Sequence, residues 1–233
     1  MKSERKNSKP EEISLLRNAP FVCSWSGGKD SCLALWRVIE LGGIPQSLLT
    51  MLDEHGRRSR SHGLPLQVLQ AQADAMGIPL ITAQASWDEY EAAFTAALRA
   101  AAHEGARASV FGDIDFEENR AWEEKVSQQA GMQAYIPLWQ QPREELLRTF
   151  FELGFKATII AVKDDRLGKR FLGRVLDDDL LVEFEQAGID LSGEAGEYHT
   201  IVTDGPLFNK PLSLQTGEIT KHAGVWFLGV QIG

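Results

Sequence analysis

The strongest constraint on this chain is an alternation. Between residues 21 and 162, short apolar runs rich in strand formers take turns with longer segments of helical spacing, separated by glycines or polar loops. Runs 21–25, 47–52, 79–83, 108–111 and 157–162 read as strands, and 31–41, 64–76, 87–104, 117–130 and 144–153 as helices. Strands spaced by helices of this length need crossover connections, so the expected fold is α/β, a doubly wound parallel sheet covered on both faces. Beyond Lys163 the rhythm changes to one helix, 177–187, and short strands at 200–203, 212–214 and 225–230. That pattern predicts a polar N-terminal tail over 1–18, a nucleotide-type domain over 19–135 and a smaller α+β domain over 136–233, packed as one body with a cleft between them.

Composition narrows the partners. The chain has 233 residues, with 24 Lys and Arg against 33 Asp and Glu and a formal net charge of -9. Affinity for phosphate backbones comes from clustered basic residues, so no nucleic acid is expected. No apolar run approaches the ~20 residues that span a bilayer, and the charged N-terminus lacks the apolar stretch of a signal peptide, so a cytoplasmic protein with no membrane partner is expected. The two cysteines, Cys23 and Cys32, are too few for a disulfide framework. Cys32 reads as core-facing on the first helix, and the tryptophans as core, Trp36 and Trp226 especially.

Acidity does not exclude a small phosphate ligand. Between the first strand and first helix stand Ser26-Gly27-Gly28-Lys29-Asp30-Ser31. Two consecutive glycines let the backbone turn sharply and approach an anion without a Cβ, and the helix start adds unpaired N–H groups and the positive end of its dipole. Ser26 and Ser31 add hydroxyls and Lys29 a point charge. Asp30 suits either a helix cap or a magnesium ion carried by a polyphosphate. The spacing matches neither a Walker P-loop nor the three-glycine dinucleotide pattern.

Other candidates follow from topology and residue type. If the strand 108–111 neighbours the first strand where the winding reverses, Gly112-Asp113 faces the glycine loop; Gly112 would admit the nucleotide and Asp113 would bind ribose, magnesium or a second substrate, the alternative being a plain turn. Arg57, Arg58 and Arg60 could neutralise an acidic substrate or form a solvated charge run, while His62 would border the nucleotide. Arg120, near the start of the following helix, could contact phosphates. Toward the C-terminus, Gly193-Glu194-Ala195-Gly196-Glu197-Tyr198-His199-Thr200 gathers two carboxylates and a histidine before a strand. Glu194 and Glu197 could hold an ammonium ion and His199 could move protons, or the segment could be a solvated turn.

The first loop resembles the pyrophosphate loop of the ATP pyrophosphatases, the group that contains the GMP, NAD, argininosuccinate and tRNA-lysidine synthetases. The second is similar to the C-terminal signature of the diphthine-ammonia ligase family, and Pro137-Leu138-Trp139, Leu153 to Ala157, Leu172-Gly173-Arg174 and Asp204 to Phe208 match it too. Phe111-Gly112-Asp113-Ile114-Asp115 and the basic loop depart from the diphthamide branch and resemble a related branch. The resemblance implies an adenine nucleotide alpha hydrolase (HUP-like) fold and an ATP- and Mg2+-dependent amide ligase that adenylates a carboxylate and lets ammonia displace AMP. On that basis ATP would bind Ser26 to Ser31, His62, Gly112, Asp113 and Arg120, with Asp30 near the metal. Lys29, Asp30, Glu194, Glu197 and His199 would carry the chemistry. The partner would be a small-molecule or protein carboxylate, and a homodimer stays open. The alternatives are a non-catalytic ATP-binding or ATP-sensing protein, and an adenylating enzyme for sulfur transfer or cobamide-related amidation.

Overall fold

The computed structural model describes residues 16–233, so most of the expected tail lies outside the described residues. Leu16 is already buried, and the Asn18 N–H donates to the Gly42 carbonyl at 2.8 Å, which anchors the approach to the first strand.

The first half is a five-stranded parallel sheet in the order β3-β2-β1-β4-β5. β1 (Pro20–Ser24) is central, flanked by β2 (Ile44–Leu52) and β4 (Ala108–Val110), with β3 (Leu80–Gln84) and β5 (Gln133–Tyr135) at the edges. Its side chains alternate as a strand requires: Phe21 and Cys23 enter the core under α1 (Lys29–Glu40) and α2 (Leu66–Met76), while Val22 enters the core under α3 (Tyr90–His103) and α4 (Glu117–Gln129). Both faces are therefore covered, as the near-continuous apolar strands demand. From β1 the chain winds outward through β2 and β3, then returns to β4 on the opposite side. That reversal leaves a crevice beyond the carboxyl ends of β1 and β4.

After α5 (Arg143–Glu152) the architecture switches. β6 (Lys156–Lys163) extends the strand-helix rhythm in sequence, yet it pairs antiparallel with β7 (Tyr198–Asp204) and β9 (Val225–Ile232), founding a second sheet in the order β7-β6-β9-β8. α6 (Asp178–Gln186) is the helix expected over 177–187, and the Asp177 carboxylate caps it by accepting from the Leu180 N–H at 2.9 Å. β8 (Leu214–His222) is far longer than the expected 212–214; its exposed polar residues carry no apolar signal, and it is defined by pairing with β9 across a two-residue turn in which Ala223 and Gly224 both have positive φ.

The two halves share one core. Leu33 and Leu35 of α1, Leu69 of α2, Phe150 of α5, Ile159 of β6 and Ile201 of β7 belong to the same buried cluster. β7 runs along the glycine loop, where the Val202 N–H donates to the Gly27 carbonyl at 3.0 Å. The second sheet thereby closes one side of the crevice.

Candidate functional site

A cleft of about 450 Å³ opens at the reversal, and residues from both halves form its walls. One end is polar, with Ser26, Lys29, Asp30 and Ser31 facing Glu194, Tyr198 and His199. The other is apolar, built from Leu49, Met51, Tyr90, Phe94, Phe111 and Trp122. Phe94 and Trp122 pack with ring centroids 5.0 Å apart, so Trp122 is a wall of the cleft and not only a core residue.

The glycine loop is built for a tight fit. Gly27 has φ +83°, and a Cβ there would lie 2.7 Å from both Gln72 Oε1 and Leu64 Cδ1. Gly28 is the N-cap of α1, and a Cβ on it would strike the His62 ring at 2.4 Å. The loop's donors are divided. The Gly28 N–H points to the Ser26 hydroxyl at 3.3 Å, and the Lys29 N–H is taken by Thr200 Oγ1 of β7 at 3.1 Å. Asp30 is not the cap; it lies in the first turn, and its carboxylate accepts from Lys29 Nζ at 2.8 Å.

Gly112 sits where topology places it, lining the cleft next to the loop, and it meets a packing demand as well. A Cβ there would lie 2.8 Å from the Asp30 carbonyl carbon and the Ser31 nitrogen, so glycine lets the end of β4 touch the start of α1. Asp113 borders the cleft and accepts from Asn119 Nδ2 at 2.6 Å.

His62 borders the cleft and packs against His199, with ring centroids 4.6 Å apart and the planes tilted by 35°. Burial, the neighbouring ring and Lys29 hold His62 well below its ordinary value, and burial, Lys29 and Lys163 pull His199 down to about 4. Both rings are thus neutral near pH 7 and able to accept a proton or hydrogen bond. Burial pushes Glu194 up to about 8, and Asp30 adds to the shift.

Of the predicted residues, Gly27, Gly28, Arg57, Arg58, Arg60, Arg120 and Glu197 are not among those that line the cleft. Arg120 pairs with Glu124 at 2.7 Å and lies over the Trp139 ring at 5.0 Å. Glu197 is buried behind the wall, with Oε2 unpartnered among the described residues. Arg60 turns to the Ala85 carbonyl and stacks on Trp87 at 4.7 Å, while Arg57 and Arg58 are exposed. Cys23 and Cys32 have no exposure, and burial pushes both thiols up, which leaves them inert.

The sequence reading overlooked Glu123, which reaches the cleft from α4 and is only 3% exposed. Burial, followed by the charge and hydrogen bond of Asp113, pushes its carboxyl up to about 11. A group raised in the folded state stabilises fully below the ordinary carboxylate range, and that contribution drains as pH climbs toward the folded value. Glu123→Gln keeps a neutral donor without this loss. The variant is expected to match the parent at pH 5 and to exceed it by about 1–3 kcal/mol at pH 8 in denaturant unfolding, a range discounted from full linkage for coupling with Asp113. A stability difference independent of pH would show that Glu123 is ionised in the fold.

A 3-2-1-4-5 parallel sheet with a glycine loop at its reversal, closed by a second, antiparallel sheet, defines an α/β protein of the doubly wound class. The chain belongs to the diphthamide synthase family: residues 21–134 match the model of the diphthamide synthase N-terminal domain, and 142–231 that of its C-terminal domain. A diphthine–ammonia ligase of Schizosaccharomyces pombe is 28% identical over 224 residues, 85% of this chain and 36% of that protein. The human diphthine–ammonia ligase is 26% identical over 234 residues, 88% of this chain and 86% of its own length. The solved structure of a predicted tRNA methyltransferase subunit from Methanocaldococcus jannaschii superposes with a TM-score of 0.43 at 16% identity, covering 79% of this chain and 96% of that one. Among the described residues, no helix is long and apolar enough to cross a membrane.

Proposed function

We propose that this chain is an ATP-dependent carbon–nitrogen ligase. A substrate carboxylate attacks the α-phosphorus of ATP and releases pyrophosphate; ammonia then attacks the acyl-adenylate, AMP departs, and the nitrogen loses a proton. The observation that carries this reading is the meeting, in one cleft, of the phosphate-type loop with the Glu194–His199 loop beside an apolar end suited to a purine. Residues 19–135 would bind the nucleotide and 136–233 would supply the second substrate's groups.

Lys29 counters the charge that builds at the phosphates. Asp30 and Asp113, both at the polar end, are the carboxylates able to hold Mg2+ brought with ATP. The ion, when bound, neutralises phosphate oxygens. Ammonium must shed a proton before it can attack, and Glu194, raised to about 8, is matched to accept one near neutral pH. His199 and His62, neutral in the same cleft, keep a second positive charge out of the site. Glu197, behind the wall, would support the loop. The relatives' name makes diphthine the first carboxylate to test, and small carboxylates the next, since a net charge of -9 steers acidic proteins poorly.

The test uses α-labelled ATP, ammonium and a panel of carboxylates. AMP that forms only when a carboxylate is present supports the ligase; tight ATP binding without AMP across the panel supports the non-catalytic ATP-binding reading. In Glu194→Gln, amidation per free ammonia is expected to fall about 100-fold, the lower end of general-base effects, and to lose the rise that levels near pH 8 in the parent. An unchanged pH profile would remove Glu194 as the base.

A further inference from the structure

Gln72 lies on α2, remote in sequence from both loops, and has no solvent exposure. Its side chain makes three hydrogen bonds. Trp25 Nε1 donates to its Oε1 at 3.1 Å, which fixes the other end of the amide as the nitrogen. That Nε2 donates to the Gly27 carbonyl at 2.9 Å and to the Val202 carbonyl at 2.7 Å. The Gly27 carbonyl also receives the Val202 N–H at 3.0 Å, so it is held from two directions by groups outside the cleft.

A trans peptide has its carbonyl and N–H on opposite sides. Pinning the Gly27 oxygen on Gln72 and Val202 therefore aims the Gly28 N–H the opposite way, to the hydroxyl of Ser26, a residue that lines the cleft. With positive φ at Gly27 and no Cβ on either residue, the Gly27–Gly28 unit has little steric resistance to inversion. An inverted unit would offer an oxygen to an anion where it now offers a donor.

We infer that Gln72 is a positioning residue for the phosphates: it locks the Gly27–Gly28 peptide in the orientation that donates to an anion and ties that orientation to β7, which carries His199 and Thr200. The inference rests on the nucleotide reading of the cleft. Gln72 meets the cleft through this peptide and through Trp25, and it touches none of the aromatic residues Tyr90, Phe94, Phe111 and Trp122, so its effect falls on phosphate affinity.

The experiment measures binding of inorganic pyrophosphate and of adenosine, separately, to the parent and to Gln72→Glu and Gln72→Leu. Glutamate has the same shape but offers at most one donor to the two carbonyls; leucine offers none. The parent is expected to bind both probes, and the variants to lose pyrophosphate affinity at least tenfold while keeping adenosine affinity within twofold. A parent that binds neither probe overturns the nucleotide reading itself. A parent that binds pyrophosphate, with folded variants that bind it equally well or lose both probes in equal proportion, overturns only the role of Gln72. If neither variant folds, amide spectra of the parent decide. Pyrophosphate is expected to shift the Gly28 amide strongly, and a Gly28 amide that stays still while those of Lys29 to Ser31 move sinks the inference.

Discussion

Lys29→Ala is expected to cut AMP release by about 10²–10³-fold, equivalent to about 2.7–4 kcal/mol of lost transition-state stabilisation. The side chain is almost fully enclosed, its Nζ is 2.8 Å from Asp30 and 5.4 Å from the Tyr198 ring centre, and exclusion from bulk water makes its charge effective. Its removal also strands the acidic groups. Lys29 lowers Asp30 and Glu194, both of which burial raises, so without it both carboxyls climb further and the cleft loses its opposing charge. The sign for the histidine is the reverse of loss: Lys29 helps hold His199 at about 4, so the alanine variant should titrate His199 at higher pH. Steady-state AMP assays and a histidine NMR titration check the two effects. AMP release within threefold of the parent would remove Lys29 from the chemistry.

Gly112→Ala is expected to damage fold and site together. The new Cβ would sit 2.8 Å from the Asp30 carbonyl carbon and the Ser31 nitrogen and 3.0 Å from the Asp30 oxygen, all backbone atoms that no rotamer change can move aside. Either the end of β4 or the first turn of α1 must shift. Overpacking of this kind costs about 1–3 kcal/mol. At roughly 2–4 °C per kcal/mol for a chain of this size, the melting temperature should fall by several degrees. A displaced α1 start also misplaces Lys29, Asp30 and Ser31, so ATP cleavage should drop by more than the stability loss alone explains. Gly168→Ala is the control, because nothing lies within 4 Å of its Cβ position and its φ of -71° suits any residue. Its effect is expected to stay within about 0.5 kcal/mol. Equal melting temperatures and equal ATP cleavage for the two variants would mean that the contact between Gly112 and α1 does not hold the loop.

Much of the fold was legible because it is written locally. An apolar run such as Val22-Cys23, a glycine stop such as Gly77 with φ +69°, and the strand–glycine–helix order around Ser26 each report on a stretch of about ten residues. Elements whose signal is pairing alone were harder to read. β5 has three residues, and β8 is exposed along nearly its whole length; both exist because a neighbouring strand offers hydrogen bonds, which the sequence of either one does not display. β6 has the same apolar pattern as a parallel strand, and its antiparallel role depends on partners that arrive later in the chain.

The site divides in the same way. The sequence by itself determined the glycine loop, its lysine and aspartate, and the Glu194–His199 segment, because phosphate and proton chemistry need those residue types at short spacing. Only the tertiary structure decided which of them meet. It brought His62 onto His199, set Arg120 and Glu197 off the walls, and added Glu123 and Trp122 from the helix whose expected contact was Arg120. It also placed Gln72 behind Gly27. A lone glutamine on an amphipathic helix carries no local mark, and its meaning arises only where the turn of α2, the glycine loop and β7 converge tightly enough for one buried amide to satisfy three backbone and side-chain partners.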